Sequence, residues 1–153
     1  GVATGLVFGA YRYGRVLGPM VLEVPVLIAF NWVLVVHGAW ALSKRLLKPG
    51  LAAVVLASGL ATAFDWIMEP AAIGLGYWTW AELDVPLRNY VAWFMIAFAA
   101  TLGRLAIERS SAAATGEAAG AKVSGDFLAL AYLLIQAAFF ALLRLGWTLF
   151  GAS

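Results

Sequence analysis

The sequence predicts an all-α integral membrane protein, a bundle of about four membrane-spanning helices. Hydrophobic residues make up 64% of the chain and charged residues only 12%, which is too few to cover a water-facing surface. The apolar residues also gather in stretches of about 20, the length that a helix needs to cross the hydrocarbon core of a bilayer. We therefore expect residues 1–153 to form a single integral membrane domain, with little room for an extramembrane catalytic domain.

Four stretches fit such spans, at about residues 21–42, 51–67, 87–107 and 127–150. The first ends at the basic sequence Ser43-Lys44-Arg45, and the second ends at Glu69-Pro70, where proline cannot donate the next helical hydrogen bond. The residues from about 110 to 125, which precede the last span, are rich in alanine, glycine and serine. This composition is typical of a flexible linker.

The stretch at residues 71–86 combines glycine and proline with the aromatic sequence Tyr77-Trp78-Thr79-Trp80. Because aromatic side chains are enriched where the membrane meets water, it predicts an interfacial turn and short helix on the outer side. With that orientation, the basic residues lie mostly on the cytoplasmic side, as the positive-inside rule requires. The inner residues are Lys44, Arg45, Lys48, Arg104, Arg109 and Lys122, and the outer ones are Arg12, Arg15, Arg88 and Arg144.

Several classes of function find no support in the composition. The chain has no cysteine and one histidine, so it offers neither thiolate catalysis nor a plausible metal site. His37 is more simply explained as a packed, hydrogen-bonded side chain. The basic residues are scattered along the chain, which argues against nucleic-acid binding. We expect no cofactor.

The candidate catalytic residues are Asp65 and Glu69, because a charged side chain within a span costs about 2.5–3.5 kcal/mol on insertion scales. Their spacing places both on one face of the second helix. Two carboxyl groups close together in a low-dielectric pocket do not both ionise readily, so we expect a protonated acid beside a carboxylate. Such a pair can serve as general acid and general base. The alternative is that both residues pair with Arg88, Arg104 or Arg144 and only hold the bundle together.

Aromatic residues form 14% of the chain, and five tryptophans lie on or near the carboxylate helix and the turn that follows it. Aromatic walls suit a flat or conjugated apolar ligand. An interfacial belt explains Tyr77, Trp78 and Trp80 without any ligand and is the simpler account of those three residues. On the last span, Tyr132, Gln136 and Arg144 form a polar stripe that we expect to face the bundle.

An ordered set of short motifs resembles a known family. They are Leu17-Gly18-Pro19, Val24-Pro25-Val26-Leu27-Ile28 with Asn31-Trp32, Asp65-Trp66-Ile67-Met68-Glu69-Pro70, Tyr77-Trp78-Thr79-Trp80, and Val85-Pro86-Leu87-Arg88-Asn89-Tyr90 with Trp93. From about Gly5 to Ala106, the chain resembles the membrane carotenoid biosynthesis family, which includes carotenoid 1,2-hydratases acting on gamma-carotene and on bisanhydrobacterioruberin. Members usually carry additional helices upstream.

The resemblance implies a multi-pass hydratase of a prokaryotic inner membrane that adds water to a terminal carotenoid double bond without a cofactor. Asp65 and Glu69 would be the acid and base, and Asn31 and Asn89 would position the water. The implied walls of the substrate site are Trp32, Trp66, Trp78, Trp80 and Trp93. The alternative is a non-catalytic relative, a structural or pigment-binding subunit of a larger membrane assembly such as a photosynthetic complex. A transporter is less well supported, because the sequence shows no internal repeat.

Overall fold

The computed structural model describes residues 5–82, 84–115 and 123–151. Its helices are α1 (Val26–Leu46), α2 (Leu51–Gly74), α3 (Leu87–Thr115) and α4 (Val123–Phe150), and its short strands are β1 (Tyr11–Tyr13), β2 (Met20–Val21), β3 (Val24–Pro25) and β4 (Trp78–Trp80). All four helices are long and apolar enough to cross a membrane. The predicted fold class, a bundle of membrane-spanning helices, is therefore confirmed.

Helix α2 lies at the centre of the bundle and packs on α1, α3 and α4, while α4 also packs along α1. One face of α2 carries the fully buried residues Ala53, Ala57 and Ala61. Small side chains at this spacing let helices approach closely in lipid, where dispersion contacts replace the hydrophobic effect as the source of association. The close packing fixes the position of the polar residues farther along α2.

The first helix begins later than its predicted start near residue 21. Met20–Val21 and Val24–Pro25 pair as a tight antiparallel hairpin, and the turn between them holds Leu22 and Glu23 at φ values of 50° and 63°. Pro25 then precedes the first helical residue with an extended backbone. Apolar composition alone does not distinguish a hairpin from a helix, and for this reason the predicted start of the first helix was wrong.

The second helix continues to Gly74, past its predicted end at Glu69-Pro70. Proline removes the N–H that would bond to the carbonyl of Trp66, one turn earlier. The guanidinium of Arg144 donates a hydrogen bond to this carbonyl at 3.1 Å. Because a neighbouring helix satisfies the group that proline leaves unpaired, the helix does not end there.

Two further boundaries differ from the prediction. Residues 110–115, predicted as the start of a linker, are the last residues of α3. Residues 116–122 of that predicted linker lie outside the described part of the chain, and α4 begins at Val123. The predicted short helix between α2 and α3 is wrong as well, since Trp78–Trp80 is a strand.

Strand β4 pairs with β1, with Tyr11 opposite Trp80 and Tyr13 opposite Trp78. Aromatic residues favour strands, where they pack against cross-strand neighbours. Beside the ribbon, Gly14 donates its N–H to the carbonyl of Tyr77 at 2.8 Å. A Cβ on Gly14 would overlap the carbonyl oxygen of Gly76, so the close approach of these segments requires glycine. The ribbon thereby holds the N-terminal segment against the C-terminal end of α2.

A cluster of charged groups joins three helices at the opposite end of the bundle. Arg104 bonds to Glu108 at 2.9 Å and to Asp126 at 3.0 Å, and Lys44 bonds to the same two carboxylates at 3.2 and 3.0 Å. His37 receives a hydrogen bond from Arg104 on Nδ1 and, as the Nε2–H tautomer, donates to Asp126. The prediction of a hydrogen-bonded histidine is confirmed, and each charged side chain of the cluster is partly buried and has a partner of opposite charge.

Candidate active site

Asp65 and Glu69 lie side by side on α2 and are almost completely buried, with exposed fractions of 1% and 3%. Both line one cavity of about 20 Å³. A cavity needs about 10–15 Å³ to hold one water molecule, so this one has room for a single water beside the two carboxyl groups. The residues around it are Tyr11, Tyr13, Ile28, Trp32, Asp65, Glu69, Trp78, Trp80, Asn89 and Trp93.

Neutral N–H groups hold both carboxyl groups. The side-chain amide of Asn89 donates to Oδ2 of Asp65 at 2.8 Å. The indoles of Trp78 and Trp80 both donate to Oε2 of Glu69, at 2.9 and 3.2 Å. These bonds fix the orientation of each carboxyl group. The donors are neutral, so unlike a cation they do not cancel the charge of a carboxylate.

The three arginines considered as partners of this pair have other partners. Arg88 bonds to the exposed carboxylate of Glu82 at 3.2 Å. Arg104 belongs to the charged cluster at the far end of the bundle, and Arg144 bonds to the carbonyl of Trp66. The structure therefore does not place any of these three arginines in the ion pairs that the alternative interpretation requires.

The ribbon closes one side of the cavity with Tyr11 and Tyr13. The hydroxyl of Tyr11 donates to that of Tyr13 at 3.3 Å, and the ring of Tyr11 packs on Trp80 with 4.9 Å between centroids. Burial raises the pKa of both phenols, so each remains a neutral hydroxyl group. Sequence reasoning missed this pair. The alternation Tyr-x-Tyr and the later Trp-x-Trp were the signal that two strands come together.

A stacked pair of indoles forms another wall. The ring centroids of Trp32 and Trp93 lie 3.6 Å apart, and the two rings are almost parallel, with 11° between their planes. Phe8 packs on the outer face of Trp93 at 4.9 Å. These rings join the start of α1 to α3 and give the cavity a flat aromatic surface beside the two carboxyl groups.

Two of the predicted site residues do not reach this cavity. Trp66 is 53% exposed, and the Arg144 guanidinium lies over its ring at 4.0 Å from the centroid. Asp65 and Met68 are buried, and the helical turn places Trp66 on the outward face between them. Asn31 lines a different cavity and accepts a hydrogen bond from the hydroxyl of Tyr132 at 2.6 Å. Trp32, Trp78, Trp80, Asn89 and Trp93 do come together with Asp65 and Glu69.

The second cavity has a volume of about 330 Å³ and lies between α1, α2 and α4. It is lined by Leu17, Leu27, Ile28, Asn31, Met68, Tyr77, Tyr132, Ile135, Gln136, Phe139 and Phe140. Ile28 belongs to the walls of both cavities. Among the described residues, no group of three His, Asp or Glu side chains is placed to hold a metal ion.

Comparison with known proteins gives a family and a relative. The sequence model of a family described as carotenoid biosynthesis protein matches residues 1–152. A bisanhydrobacterioruberin hydratase of Haloarcula japonica is 34% identical over 110 residues, which cover 67% of this chain and 38% of that protein. The match thus spans well under half the length of the relative. No solved structure matches the chain.

Proposed function

The chain belongs to the carotenoid biosynthesis protein family, and from this premise we propose that it adds water to a terminal carbon–carbon double bond of a carotenoid. Asp65 and Glu69 serve as the acid and the base. The observation that carries the proposal is the buried carboxyl pair, which faces a water-sized cavity and is held by neutral donors. The relative that is named a hydratase supports the reaction class.

The hydrogen bonds divide the two roles. Oε2 of Glu69 accepts two indole N–H groups, and such donors stabilise a negative charge. Glu69 is therefore the base. Asp65 is at least as deeply buried and accepts a single amide N–H on Oδ2, so burial there favours the neutral form, with the proton on Oδ1. Asp65 is the acid.

The reaction adds one water and needs no redox step. Asp65 gives its proton to the less substituted carbon of the double bond, and a C–H bond forms while the π bond breaks. The resulting tertiary cation takes the oxygen of the cavity water, which forms a C–O bond and loses one proton to Glu69. Return of a proton from Glu69 to Asp65 restores both groups, and the net product is a tertiary alcohol.

The aromatic walls stabilise the cation between these steps. Indole faces attract a cation by about 0.5–2 kcal/mol, and more in a desolvated site. Trp32 and Trp93 both line the cavity, and because they stack on each other, the cation would meet a ring face that is turned away from the stack. They also exclude bulk water, which limits the reaction to the single water of the cavity.

The test is pigment chemistry in a carotenoid-producing host. Asp65→Asn and Glu69→Gln keep the side-chain volume and remove the acid or the base, and such groups contribute about 100- to 10,000-fold in rate. Hydroxylated carotenoid, separated by chromatography from its less polar precursor, should nearly disappear in both variants. Glu82→Gln is the control, since Glu82 is an exposed carboxylate outside the cavity, and it should match wild type. Immunoblots of the membrane fraction establish that each variant accumulates.

Two results would overturn the proposal in different ways. If wild type makes no hydroxylated carotenoid, the chain is not a hydratase, and carotenoid that co-purifies with it would favour a pigment-binding subunit. If Asp65→Asn and Glu69→Gln both match wild type, the carboxyl pair is not catalytic. The prokaryotic inner membrane as location, and neighbouring membrane subunits as partners, are parts of the same proposal. Exposed apolar side chains on α3 and α4, such as Met95 and Leu142, suit lipid or such neighbours.

A further inference from the structure

We propose that the larger cavity binds an isoprenoid chain bearing a hydroxyl group, and that Asn31 and Gln136 recognise this hydroxyl. The inference rests on the proposed function, because it concerns the chain whose reactive end would reach Asp65. It assigns a binding site to a part of the molecule that takes no role in the acid–base chemistry.

The two cavity volumes separate water from substrate. The carboxyl cavity, at about 20 Å³, holds the water, and the double bond reaches it only when the side chain of Ile28, which lines both cavities, moves aside. The larger cavity holds about 330 Å³, and a cavity of about 150 Å³ is enough for benzene. By that measure it accepts about twelve carbons, or roughly two isoprene units. Any longer chain must continue outside it.

The position of the larger cavity suits a substrate that arrives from the bilayer. Leu27, Ile135 and Phe139 line it and are at least half exposed, at 54%, 69% and 50%, so the cavity opens on the apolar surface of the bundle. At its other side Ile28 separates it from the carboxyl cavity. A chain that enters from lipid therefore has its end at Ile28, the residue adjoining the acid and the water.

A polar network interrupts the otherwise apolar wall. The amide of Gln136 donates to the hydroxyl of Tyr132 at 3.2 Å, and Tyr132 donates to Oδ1 of Asn31 at 2.6 Å. These bonds use the Tyr132 proton, and they leave the amide N–H groups of Asn31 and the carbonyl oxygen of Gln136 for another group. A hydroxyl is both donor and acceptor, and it matches this combination. A hydrocarbon would leave both amides unpaired in an apolar surrounding, which is costly.

Equilibrium binding of geraniol to the full chain in lipid nanodiscs tests the proposal. Geraniol carries one hydroxyl on two isoprene units, and myrcene is a hydrocarbon of the same carbon number. Tritiated geraniol should bind saturably above the level of empty nanodiscs, and myrcene should compete about tenfold less well. Gln136→Met and Asn31→Leu each keep the approximate volume and should weaken geraniol binding about tenfold. Thr148→Val, on the same helix but with its hydroxyl bonded to its own backbone, should bind as wild type does.

The outcomes keep the two proposals apart. Equal affinity for geraniol in wild type, Gln136→Met, Asn31→Leu and the milder Tyr132→Phe would overturn the hydroxyl site, as would equal competition by myrcene. Neither result affects the roles of Asp65 and Glu69. Conversely, Asp65→Asn should bind geraniol with wild-type affinity although it forms no hydrated product. Loss of geraniol binding in Asp65→Asn would contradict the separation of the two cavities.

Discussion

Asn89 donates its side-chain amide to Oδ2 of Asp65 at 2.8 Å, and this bond joins the first turn of α3 to α2. Both side chains are almost fully buried, with exposed fractions of 2% and 1%. The bond spans 24 residues of sequence. It therefore couples the packing of two membrane helices to the orientation of the proposed catalytic acid.

Replacement of Asn89 by leucine should damage both stability and turnover. Asp65 would keep its burial and lose its donor, and an unsatisfied buried group costs about 1–3 kcal/mol. We expect a lower midpoint of thermal unfolding in detergent and at least about tenfold less hydroxylated carotenoid. Thr101→Val is the control, because Thr101 is equally buried on α3 but bonds only to backbone of its own helix. Normal turnover by Asn89→Leu would show that the orientation of Asp65 does not matter.

The two indole donors to Glu69 should differ in importance. Trp78 is buried, with 6% of its surface exposed, and its bond to Oε2 is the shorter of the two. A hydrogen bond to a charged group contributes about 1.5–3 kcal/mol, or about 10- to 100-fold in rate if it acts on the transition state. Trp78→Phe should lower the rate of product formation by that factor and Trp80→Phe by less. Pigment chromatography measures both, and equal effects would contradict the ranking.

Gly38 fixes the approach of α1 to α4. A Cβ at this position would overlap the carbonyl oxygen of Ala129 and lie 2.8 Å from Cβ of Leu133. Gly38→Ala should separate the two helices and destabilise the bundle by about 1–3 kcal/mol. Gly59→Ala is the matched control on α2, where a Cβ meets nothing within 4 Å and alanine improves helix propensity. Unfolding in detergent should rank Gly59→Ala at or above wild type and Gly38→Ala well below it.

Alkaline pH should destabilise the ribbon that covers the carboxyl cavity. Burial raises the pKa of Tyr13 above its unfolded value, which is about 10. A group with a raised folded pKa stabilises the fold below the unfolded pKa, and this contribution is lost as pH rises beyond it. The unfolding midpoint should therefore begin to fall near pH 10 and should continue to fall as the pH rises further. Tyr13→Phe should show a shallower fall, and an identical slope would contradict the assignment.

The four spanning helices, though not all their boundaries, and the shared face of the carboxyl pair could be predicted from the sequence. Asp65 and Glu69 interrupt an apolar stretch at the spacing of one helical turn, so their shared face followed from helix geometry. Helix geometry did not predict that Arg88, Arg104 and Arg144 would bond elsewhere. Arg144 bonds to the Trp66 carbonyl instead, because Pro70 leaves that carbonyl without its helical donor. Such a partner depends on how α4 packs on α2, which no local pattern encodes.

The ribbon and the charged cluster were missed for the same reason. Tyr13 meets Trp78 across more than sixty residues of sequence, and neither strand is longer than three residues. His37 and Asp126 lie still farther apart in sequence and meet only because α1 and α4 are neighbours. Contacts of this kind arise from tertiary packing, which overrides the weak local preferences of short segments.

The place of the carboxyl pair along α2 bears on how a carotenoid with two reactive ends would be processed under the proposed function. At about 1.5 Å per residue, Asp65 lies about 21 Å from the start of a helix about 36 Å long. Asp65 is thus only about 3 Å past the middle of α2, and Glu69, one turn farther along, lies toward the Gly74 end. A carotenoid with a reactive group at each end presents only one of them to the carboxyl pair at a time. It must turn end over end, or leave and return reversed, before the second end reacts, so the singly hydrated compound is an obligatory free intermediate.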